Sequence, residues 1–272
     1  MEMKMRFPDG KTKAVTLSYD DGSRHDVRLV NIMTKYGLKG TFNINSGLYA
    51  SENEKDAWRL TKEQCVELYN SNGMEVAVHG LTHPFLEQLP ATVQKYEVLQ
   101  DRINLEEEFN SIVRGMAYPF GTFNNQVIET LKECGIVYSR TVESTGKFAL
   151  PSDWLRMPAT CHHNDPRLFE LVEEFIKDDE YGNPKLFYLW GHSHEFAKDN
   201  NWDVIEKFAE CIGNREEIWY ATNIEVYEYV EAYRNLIMSM DGKRVYNPTG
   251  CTVCFENGDT VFCVKPGEII RI

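Results

Sequence analysis

Two adjacent carboxylates, Asp20 and Asp21, follow the short apolar run at residues 14–17, and Gly22 comes directly after them. Two like charges at the end of a strand repel each other unless a cation lies between them. Gly22 favours a turn, so both side chains are expected at the rim of a sheet. Asp-Asp-Gly is also a common turn sequence, and the pair alone does not distinguish a functional site from a turn.

Histidines follow two other predicted strands. Residues 75–78 form a predicted strand that runs into His79 and His83, and residues 186–190 form one that runs into His192. Parallel α/β folds assemble their sites at the carboxyl ends of their strands. We therefore expect these imidazoles to meet the two carboxylates at one edge of the sheet.

One carboxylate and two imidazoles, Asp21 with His79 and His83, would bind a divalent metal ion and leave positions open for water and substrate. The His-x-x-x-His spacing alone is weak, because on a helix it is commonly a surface pair. Gly80 and Pro84 disfavour a regular helix here, which favours a loop that turns both rings toward one centre.

The second carboxylate is then free for proton transfer. Asp20 would lie close to the attacking water and act as a base, and His192 would supply the acid from across the site. Together these groups predict metal-assisted hydrolysis of a polar acyl bond.

Short apolar strands alternate with amphipathic helices, which argues for parallel strands joined by crossover helices. About eight strand candidates in ~240 residues favour an α/β barrel over a doubly wound sheet. Strands are predicted at residues 14–17, 40–44, 75–78, 112–118, 136–141, 186–190 and 218–221. Helices are predicted at residues 25–36, 61–69, 91–111, 124–134, 165–177, 202–212 and 225–238, and Thr61 is expected to cap the second of them. Residues 143–164 are expected to be mostly irregular, with a short strand at 155–157.

The C-terminal residues follow a different pattern. Two alternating apolar runs flank Asn257-Gly258, which is a strong hairpin signal. We predict a (β/α) barrel domain at residues 1–240 and a small β hairpin tail at residues 241–272 that packs on the barrel.

The chain has seven cysteines, an odd number scattered through globular sequence, which favours reduced thiols over a disulfide framework. Cys251, Cys254 and Cys263 suggest a zinc site through a C-x-x-C spacing. No fourth ligand lies nearby in the sequence, so structural cysteines are the favoured interpretation.

The 272 residues carry a formal net charge of -13, which disfavours nucleic acid and anionic membranes as partners. No apolar run approaches the roughly 18 residues that span a bilayer. The polar N-terminal stretch has no signal-like apolar segment, which predicts a cytoplasmic protein unless a leader has been removed.

Four motifs resemble those of the polysaccharide deacetylase (NodB-homology) family of carbohydrate esterases. Residues 18–22 resemble its Thr-Phe-Asp-Asp-Gly motif, and residues 79–83 resemble its His-Ser/Thr-x-x-His motif. Residues 117–121 stand at its Arg-x-Pro-Tyr/Phe position, and residues 189–192 stand at its Leu-x-His position. The first two motifs are specific and the later ones are looser.

The resemblance implies a distorted (β/α) barrel that holds a divalent ion through Asp21, His79 and His83. Zinc is the expected metal, with cobalt, nickel or iron as alternatives. The resemblance also implies that Asp20 is the general base and that His192 is the general acid on the leaving amine.

The third motif, together with Asp153-Trp154, which resembles a further weak motif of the family, carries the remaining predicted site residues and the main departures. The backbone N–H of Phe120 would be the oxyanion donor, with Tyr118 beside it as a substrate-facing residue or pocket wall. The family's arginine is replaced by Ala117, and Arg156 would approach Asp20 in its place unless it forms a surface ion pair. Trp154 would line the groove, or else be a plain core residue.

Several polar residues have two interpretations. His194 is an alternative to His192 as the acid, although His192 lies nearer the strand end and is preferred. His162 and His163 could face the substrate, but an ordinary polar loop is the favoured interpretation.

The leading hypothesis is a metal-dependent hydrolase that removes an acetyl group from an N-acetylated sugar or oligosaccharide. An alternative keeps the metal and changes the substrate to a non-sugar amide or cyclic imide. Two histidines and one carboxylate also hold iron in oxygenases, and a metal-free binding protein is a further possibility. The sequence predicts neither the oligomeric state nor the length of the substrate.

Overall fold

The computed structural model describes residues 3–54, 57–178 and 181–272. The strands are β1 Lys4–Arg6, β2 Lys13–Asp20, β3 Gly40–Ile44, β4 Glu75–Val78, β5 Gly115–Ala117, β6 Tyr138–Ser144, β7 Met157–Ala159, β8 Cys161–His162, β9 Lys185–Gly191, β10 Ile218–Tyr220, β11 Ile237–Met238, β12 Arg244–Tyr246, β13 Val253–Asn257, β14 Thr260–Val264 and β15 Ile269–Arg271. The helices are α1 Asp26–Lys35, α2 Lys62–Ser71, α3 Ala91–Phe109, α4 Asn125–Glu133, α5 Leu168–Ile176, α6 Ser193–Lys198, α7 Trp202–Ile212 and α8 Asn223–Arg234.

The main sheet has the strand order β7-β6-β5-β4-β3-β2-β9-β8, and each neighbouring pair is parallel. The two ends of this order are consecutive in the chain, because β7 and β8 are separated only by Thr160. The N–H of Thr160 donates to Tyr188 O on β9 at 2.9 Å, while β7 pairs with β6. The extended segment at residues 157–162 therefore pairs with β6 through β7 and with β9 through β8. It links the two ends of the strand order, and the predicted α/β barrel is confirmed.

Helices cover the outside of the sheet, as parallel strands require. Every residue of β2 is buried, so β2 is a central strand of the sheet, and its side chains are either apolar or hydrogen-bonded to other residues of the protein. α2 begins at a capping box in which Thr61 and Gln64 bond each other's backbone, and the predicted cap at Thr61 is confirmed. Asn124 caps α4 through a single bond, in which its side chain accepts from the N–H of Val127 at 2.9 Å.

Most of the predicted elements are present, with shifts of a few residues. β3, β4 and α7 have the predicted bounds. Residues 143–164 are mostly irregular, as predicted, but they also contain β7 and β8, which were not predicted and which link β6 to β9. The strand predicted at 155–157 is instead a short 3-10 turn, Trp154–Arg156, that leads into β7.

Two predicted helices end or begin elsewhere. α5 begins at Leu168, because Leu168 N–H bonds back to Asp165 O in a turn that precedes the helix. Pro166 therefore lies before the helix and not in its first turn. α8 stops at Arg234, since Ile237–Met238 forms β11 and pairs with β12.

The predicted C-terminal hairpin is confirmed. β13 and β14 pair antiparallel around Gly258 and Asp259, and β1 from the other end of the chain adds to β13 as a third strand. A separate small sheet has the order β11-β12-β15. The division of the chain at residues 240 and 241 stays a prediction.

The prediction that all cysteines are reduced was wrong for one pair. Cys254 and Cys263 stand directly opposite each other on β13 and β14 and form a disulfide. Cys251 is an exposed free cysteine, so the C-x-x-C spacing builds no metal site. None of the described helices is long and apolar enough to cross a membrane.

Removing the disulfide with the double change Cys254→Ala and Cys263→Ala should lower stability by ~2–3 kcal/mol, because a closed loop of this length restricts the unfolded chain. Thermal unfolding without reductant would measure the loss, and Cys251→Ala is the control that should leave the melting temperature unchanged. A thiol titration of the unfolded wild type without reductant should find the five free cysteines. Seven titratable thiols would contradict the pairing.

Candidate functional site

The two carboxylates at the end of β2 have different partners. Asp20 is the last residue of the strand and is buried, whereas Asp21 lies outside it in the left-handed region with a φ of 80°. Asp20 accepts a hydrogen bond from Asn43 on β3 at 2.8 Å, and Asp21 contacts Arg59 at 3.3 Å. The turn therefore separates two adjacent charges that would otherwise repel each other.

Asp21, His79 and His83 offer one ligand atom each, and these atoms lie within 4.8 Å of one another. The Nε2 atoms of the two histidines are 3.2 Å apart, and His83 Nε2 is 3.8 Å from Asp21 Oδ1. Two imidazoles and one carboxylate form a donor set that suits zinc and leaves open coordination positions. The predicted metal ligands are thus brought together.

The protonation of both histidines fits a metal. His79 Nδ1 lies 2.8 Å from Ala117 O, where it donates, so the neutral ring keeps a lone pair on Nε2. Burial lowers the pKa of His79, and burial together with His79 lowers the pKa of His83 to about 4. Both rings are therefore neutral at neutral pH, the form that binds a metal. A cation between two facing nitrogens would complete this arrangement.

Hydrogen bonds with Asn45 and Asp101 fix the loop that carries His79 and His83. Asn45 donates to the carbonyl oxygens of His79 and Gly80, each at 2.7 Å. Asp101 on α3 accepts from the backbone N–H of His79 at 3.0 Å. The amide of Asn45 is therefore used to hold the loop.

Three non-glycine residues at the site have a positive φ. They are Asp21 at 80°, His83 at 56° and Phe120 at 57°. Such backbone costs of order 1–3 kcal/mol at each residue and persists where the surrounding structure imposes it. Strain of this kind clusters at binding sites, and here it occurs at two candidate ligands and at the candidate oxyanion donor.

Asp20 is held by an arginine that the sequence reasoning did not identify. Arg140 on β6 pairs with Asp20 Oδ2, and both side chains are almost entirely buried, at 1% and 3% exposed. Burial alone would raise the pKa of Asp20, but Arg140, His79 and His192 outweigh it and lower the pKa to about 2. Asp20 is therefore ionised at neutral pH.

The prediction that Arg156 approaches Asp20 was wrong. Arg156 pairs with Asp153 at 2.5 Å on the surface, where both side chains are nearly half exposed. Arg140 stands beside Ala117 in the parallel register of β5 and β6, so the arginine has moved across one strand. A charged residue in the middle of a predicted buried strand was the signal that could have revealed it.

His192 faces Asp20 from the end of β9, with His192 Nε2 3.7 Å from Asp20 Oδ2. Its other nitrogen, Nδ1, lies 3.5 Å from Glu195 Oε2, which is within ion-pair distance. Burial would lower the pKa of His192, but Glu195 and Asp20 outweigh it and raise the pKa. Glu195 also accepts from the backbone N–H of His192 at 3.2 Å. The i, i+3 spacing at a helix start was the available signal for Glu195.

Glu195 lies at the centre of a second histidine cluster. Its Oε2 is 3.1 Å from His162 Nε2 and 3.2 Å from His163 Nε2. Two imidazoles and a carboxylate could hold a metal. However, the N–H of Asn164 donates to His162 Nδ1 at 3.1 Å, which leaves the proton of neutral His162 on Nε2, directed at Glu195. The cluster is therefore better described as hydrogen-bond support for Glu195.

Hydrogen bonds and burial set the charges in this cluster. Burial would raise the pKa of Glu195, but bonds to His162 and His192 outweigh it and lower the pKa. Burial lowers the pKa of His163 to about 3, so this ring is neutral. Gly191 lies against the His163 ring, and any side chain at residue 191 would collide with it. This contact accounts for glycine between Trp190 and His192.

The pocket between these groups has a volume of about 340 Å³. Its walls include Asp20, Asp21, His79, His83, Tyr118, Phe120, Gly121, Val142, Trp190, His192, His194 and Glu195. Tyr118 is buried in the wall, and its hydroxyl donates to Leu155 O at 2.7 Å. Phe120 is half exposed at the mouth of the pocket.

The prediction that Trp154 lines the groove was wrong. Trp154 Nε1 donates to Glu231 on α8 at 2.8 Å, and its ring packs edge-on against Tyr227 at 5.2 Å. The tryptophan in the pocket wall is Trp190, which lies under the Arg140 guanidinium at 4.3 Å. Position next to a strand end, which Trp190 has and Trp154 lacks, was the sequence signal for a wall residue.

A family model described as polysaccharide deacetylase matches residues 8–139. The poly-β-1,6-N-acetyl-D-glucosamine N-deacetylase of Staphylococcus epidermidis is 25% identical over 190 residues, which cover 65% of this chain and 63% of that protein. The chain thus spans less than two thirds of the length of that relative.

Solved structures share the fold. A candidate polysaccharide deacetylase from Mycobacterium smegmatis matches with a TM-score of 0.61 at 17% identity. The match covers 86% of this chain and 95% of the M. smegmatis chain. A family 4 carbohydrate esterase from Streptomyces lividans in complex with acetate has a TM-score of 0.52 at 16% identity, with 78% of this chain and 93% of its own covered. At these identities the likeness concerns the fold alone.

Replacing Arg140 with methionine should destabilise the protein by ~3–5 kcal/mol at pH 7, because Asp20 then stays buried without a cation. The folded pKa of Asp20 is about 2 and the ordinary value is 3.8, so the stabilisation from pairing is present above pH 3.8 and lost as the pH falls through 2. The difference in free energy of unfolding between the wild type and Arg140→Met, measured by denaturant unfolding, should therefore become smaller as the pH falls from 3.8 to about 2. Arg156→Met is the matched control and should cost less than about 1 kcal/mol. An equal loss in the two variants would contradict the assignment of Arg140.

Proposed function

We propose that the chain is a metal-dependent hydrolase of the N-acetyl group of an acetylated sugar or oligosaccharide, because a polysaccharide deacetylase family model matches its residues 8–139 and its curated relative is an N-deacetylase. One observation carries this proposal. A three-donor metal set and a buried, ionised carboxylate face an imidazole of raised pKa across one pocket. Amide hydrolysis needs these three parts, since water must lose a proton, the acyl oxygen must gain charge, and nitrogen must leave protonated.

We propose that Asp21, His79 and His83 hold the ion, with zinc as the expected metal because it suits two imidazoles and one carboxylate. When bound, such an ion polarises the acyl oxygen and acidifies the attacking water. The protein contributes a donor set whose rings are neutral and whose carboxylate is fixed by Arg59. Supporting groups of this kind orient ligands and typically change metal affinity by 10–100-fold.

Asp20 is the proposed general base. Its carboxylate is ionised and lies beside the metal ligands, with Asp20 Oδ2 3.9 Å from His79 Nε2. Arg140 and Asn43 fix the carboxylate by bonding both of its oxygens, so the base has one orientation toward the pocket. A positioned base of this kind contributes typically 10²–10⁴-fold to the rate.

His192 is the proposed general acid. Its raised pKa favours the imidazolium, which can give the Nε2 proton to the leaving nitrogen. Glu195 lies at Nδ1 and stabilises the charged ring, and His162 in turn bonds Glu195. His194 is disfavoured as the acid because burial lowers its pKa.

The backbone N–H of Phe120 is the proposed oxyanion donor. Phe120 lies in the pocket wall opposite His192, in the strained left-handed conformation. A fixed N–H at the point where negative charge develops lowers the barrier, since it needs no reorganisation during the reaction. The spare carboxylate Asp20 favours hydrolysis over oxygenase chemistry on the same donor set.

Asp20→Asn should reduce the rate of acetate release by at least ~10²-fold, because the general base is lost, while the metal content stays unchanged. Asp21→Ala should instead lose the metal, because one of three ligands is gone. Elemental analysis and acetate release from N-acetylglucosamine and its β-1,4- and β-1,6-linked oligomers, with simple amides alongside, would measure both effects. Asp153→Asn, on the surface, is the control that should retain metal and activity. Full activity of Asp20→Asn would sink the base assignment.

Glu195→Gln should reduce kcat by ~10–100-fold, because the charge that supports the imidazolium is lost while the side-chain size is kept. The pKa of His192 should fall, so the alkaline limb of the kcat–pH profile should move to lower pH. His194→Gln tests the alternative acid and should leave that limb in place. If the limb moves with His194→Gln and not with Glu195→Gln, then His194 is the acid.

A further inference from the structure

A second group of polar side chains lies inside the barrel below Asp20. Tyr138 stands two residues before Arg140 on β6, and Thr41 stands two residues before Asn43 on β3. Arg140 and Asn43 are the two residues that bond the carboxylate of Asp20. Alternate residues of a strand face the same side of the sheet. Tyr138 and Thr41 therefore face the barrel interior one layer below the residues that hold the base.

Glu75 on β4 joins these two residues. Its Oε1 accepts from the hydroxyl of Tyr138 at 2.6 Å, and its Oε2 accepts from the hydroxyl of Thr41 at 2.7 Å. The N–H of Ile224, in the first turn of α8, also donates to Oε2 at 2.9 Å. Glu75, Thr41 and Tyr138 are here called the lower layer. One carboxyl group thus links β3, β4, β6 and α8.

β5 carries small residues where the side chains of β6 lie over it. Gly115 is in register with Tyr138, and Ala117 is in register with Arg140. Any side chain at residue 115 would collide with the Tyr138 ring, which extends across β5 to Glu75. The lower layer and the layer of the base are therefore built in the same way, with a long side chain of β6 above a small residue of β5.

Arg140 has few bonds of its own. Its Nη2 pairs with Asp20, and its Nη1 donates to Thr141 O at 3.3 Å. Its Nε is buried and has no hydrogen-bond partner among the described residues. Side chains that hold a reacting group need support from their surroundings. Since bonds to the guanidinium supply little of that support, the position of β6 must supply it.

We propose that Glu75 is a positioning residue for the general base. Its bonds fix the separation of β3 and β6 one layer below Asp20, and those two strands carry the groups that orient the base. Loss of the lower layer would let Arg140 shift, while the candidate metal ligands at the ends of β2 and β4 stay in place. This inference rests on the proposed function, because it takes Asp20 to be the base.

The first test removes one hydroxyl from the lower layer. Tyr138→Phe keeps the ring over β5 and loses only the bond to Glu75. We expect kcat for acetate release from N-acetylglucosamine oligomers to fall about tenfold with unchanged KM and metal content, because a displaced base slows the chemical step alone. Tyr229→Phe is the matched control, since it removes a buried hydroxyl that donates to Arg6 O at 2.7 Å, outside the barrel interior. It should lower the melting temperature and leave kcat unchanged.

Substitutions of Glu75 test the carboxyl group itself. In Glu75→Gln, the amide oxygen can still accept from Thr41 and the amide nitrogen can donate to the Tyr138 oxygen, so kcat should stay within about twofold of the wild type. Glu75→Ala loses all these bonds and should lower kcat at least as much as Tyr138→Phe. Wild-type kcat in Glu75→Ala would contradict the proposed role.

Stability gives a second measurement that needs no substrate. Arg140→Met raises the equilibrium constant of unfolding, and we expect this increase to be about fivefold smaller in Tyr138→Phe than in the wild type, because groups in one network are not additive. In Tyr229→Phe the effect of Arg140→Met should equal that in the wild type. Additive effects of Tyr138→Phe and Arg140→Met would show that the two layers are independent and would overturn the inference.

The two measurements separate this inference from the proposed function. Unchanged kcat in Tyr138→Phe, or an equal fall in Tyr229→Phe, overturns the positioning role even if the wild type releases acetate. If the metal-loaded wild type releases no acetate from any N-acetylated substrate, the proposed function is wrong, and the coupling of Tyr138 to Arg140 then decides alone whether the lower layer positions the arginine.

Discussion

The buried ion pair between Arg140 and Asp20 is the interaction on which the site depends. Two carboxylates at successive residues cannot both be ionised in a protein interior unless each has its own positive partner. Arg140 provides that partner for Asp20 from β6, and Arg59 lies beside Asp21. Because Arg140 neutralises the charge of Asp20, Asp21 is left to face the proposed metal position. The proposed division between a general base and a metal ligand thus rests on the positions of two arginines.

The same pair links the site to the shape of the barrel. Arg140 reaches Asp20 across the interior from β6, and Trp190 on β9 lies against its guanidinium. The side chains of this ion pair are only 1% and 3% exposed, so both charges lose their hydration on folding. The pair stabilises the protein only if its geometry is kept, because the attraction must outweigh that cost of desolvation. Closure of the sheet through β7 and β8 keeps β6 and β9 at a fixed separation. Catalytic geometry and barrel closure are therefore coupled.

Local patterns in the sequence predicted what local physics controls. β3, β4 and the cap at Thr61 were found because alternation, glycine and capping are short-range signals. β7 and β8 were missed because strands of two or three residues owe their conformation to partners far away in the chain. Arg140 was missed for the same reason, since its position beside Ala117 follows from the register of two strands.

Other errors came from information that the sequence did contain. A two-residue hairpin turn at Gly258 and Asp259 sets Cys254 opposite Cys263, so the predicted hairpin already implied this disulfide pair. The candidate metal ligands could be predicted because two strand ends, those of β2 and β4, carry them in a fold whose strand ends converge. Their protonation could not, because it depends on burial and on the carbonyl oxygen of Ala117.

The pairing of β1 with β13 makes the tail inseparable from the first residues of the chain. Arg6 on β1 is buried and pairs with Glu256 on β13, and Tyr229 on α8 donates to the carbonyl of Arg6 while accepting from the N–H of Cys254. A truncation at residue 240 would leave a buried guanidinium without its counterion and an edge strand without its neighbour. The C-terminal sheet is thus no detachable module that could be trimmed or exchanged. It holds β1, β13 and α8 together through one set of hydrogen bonds.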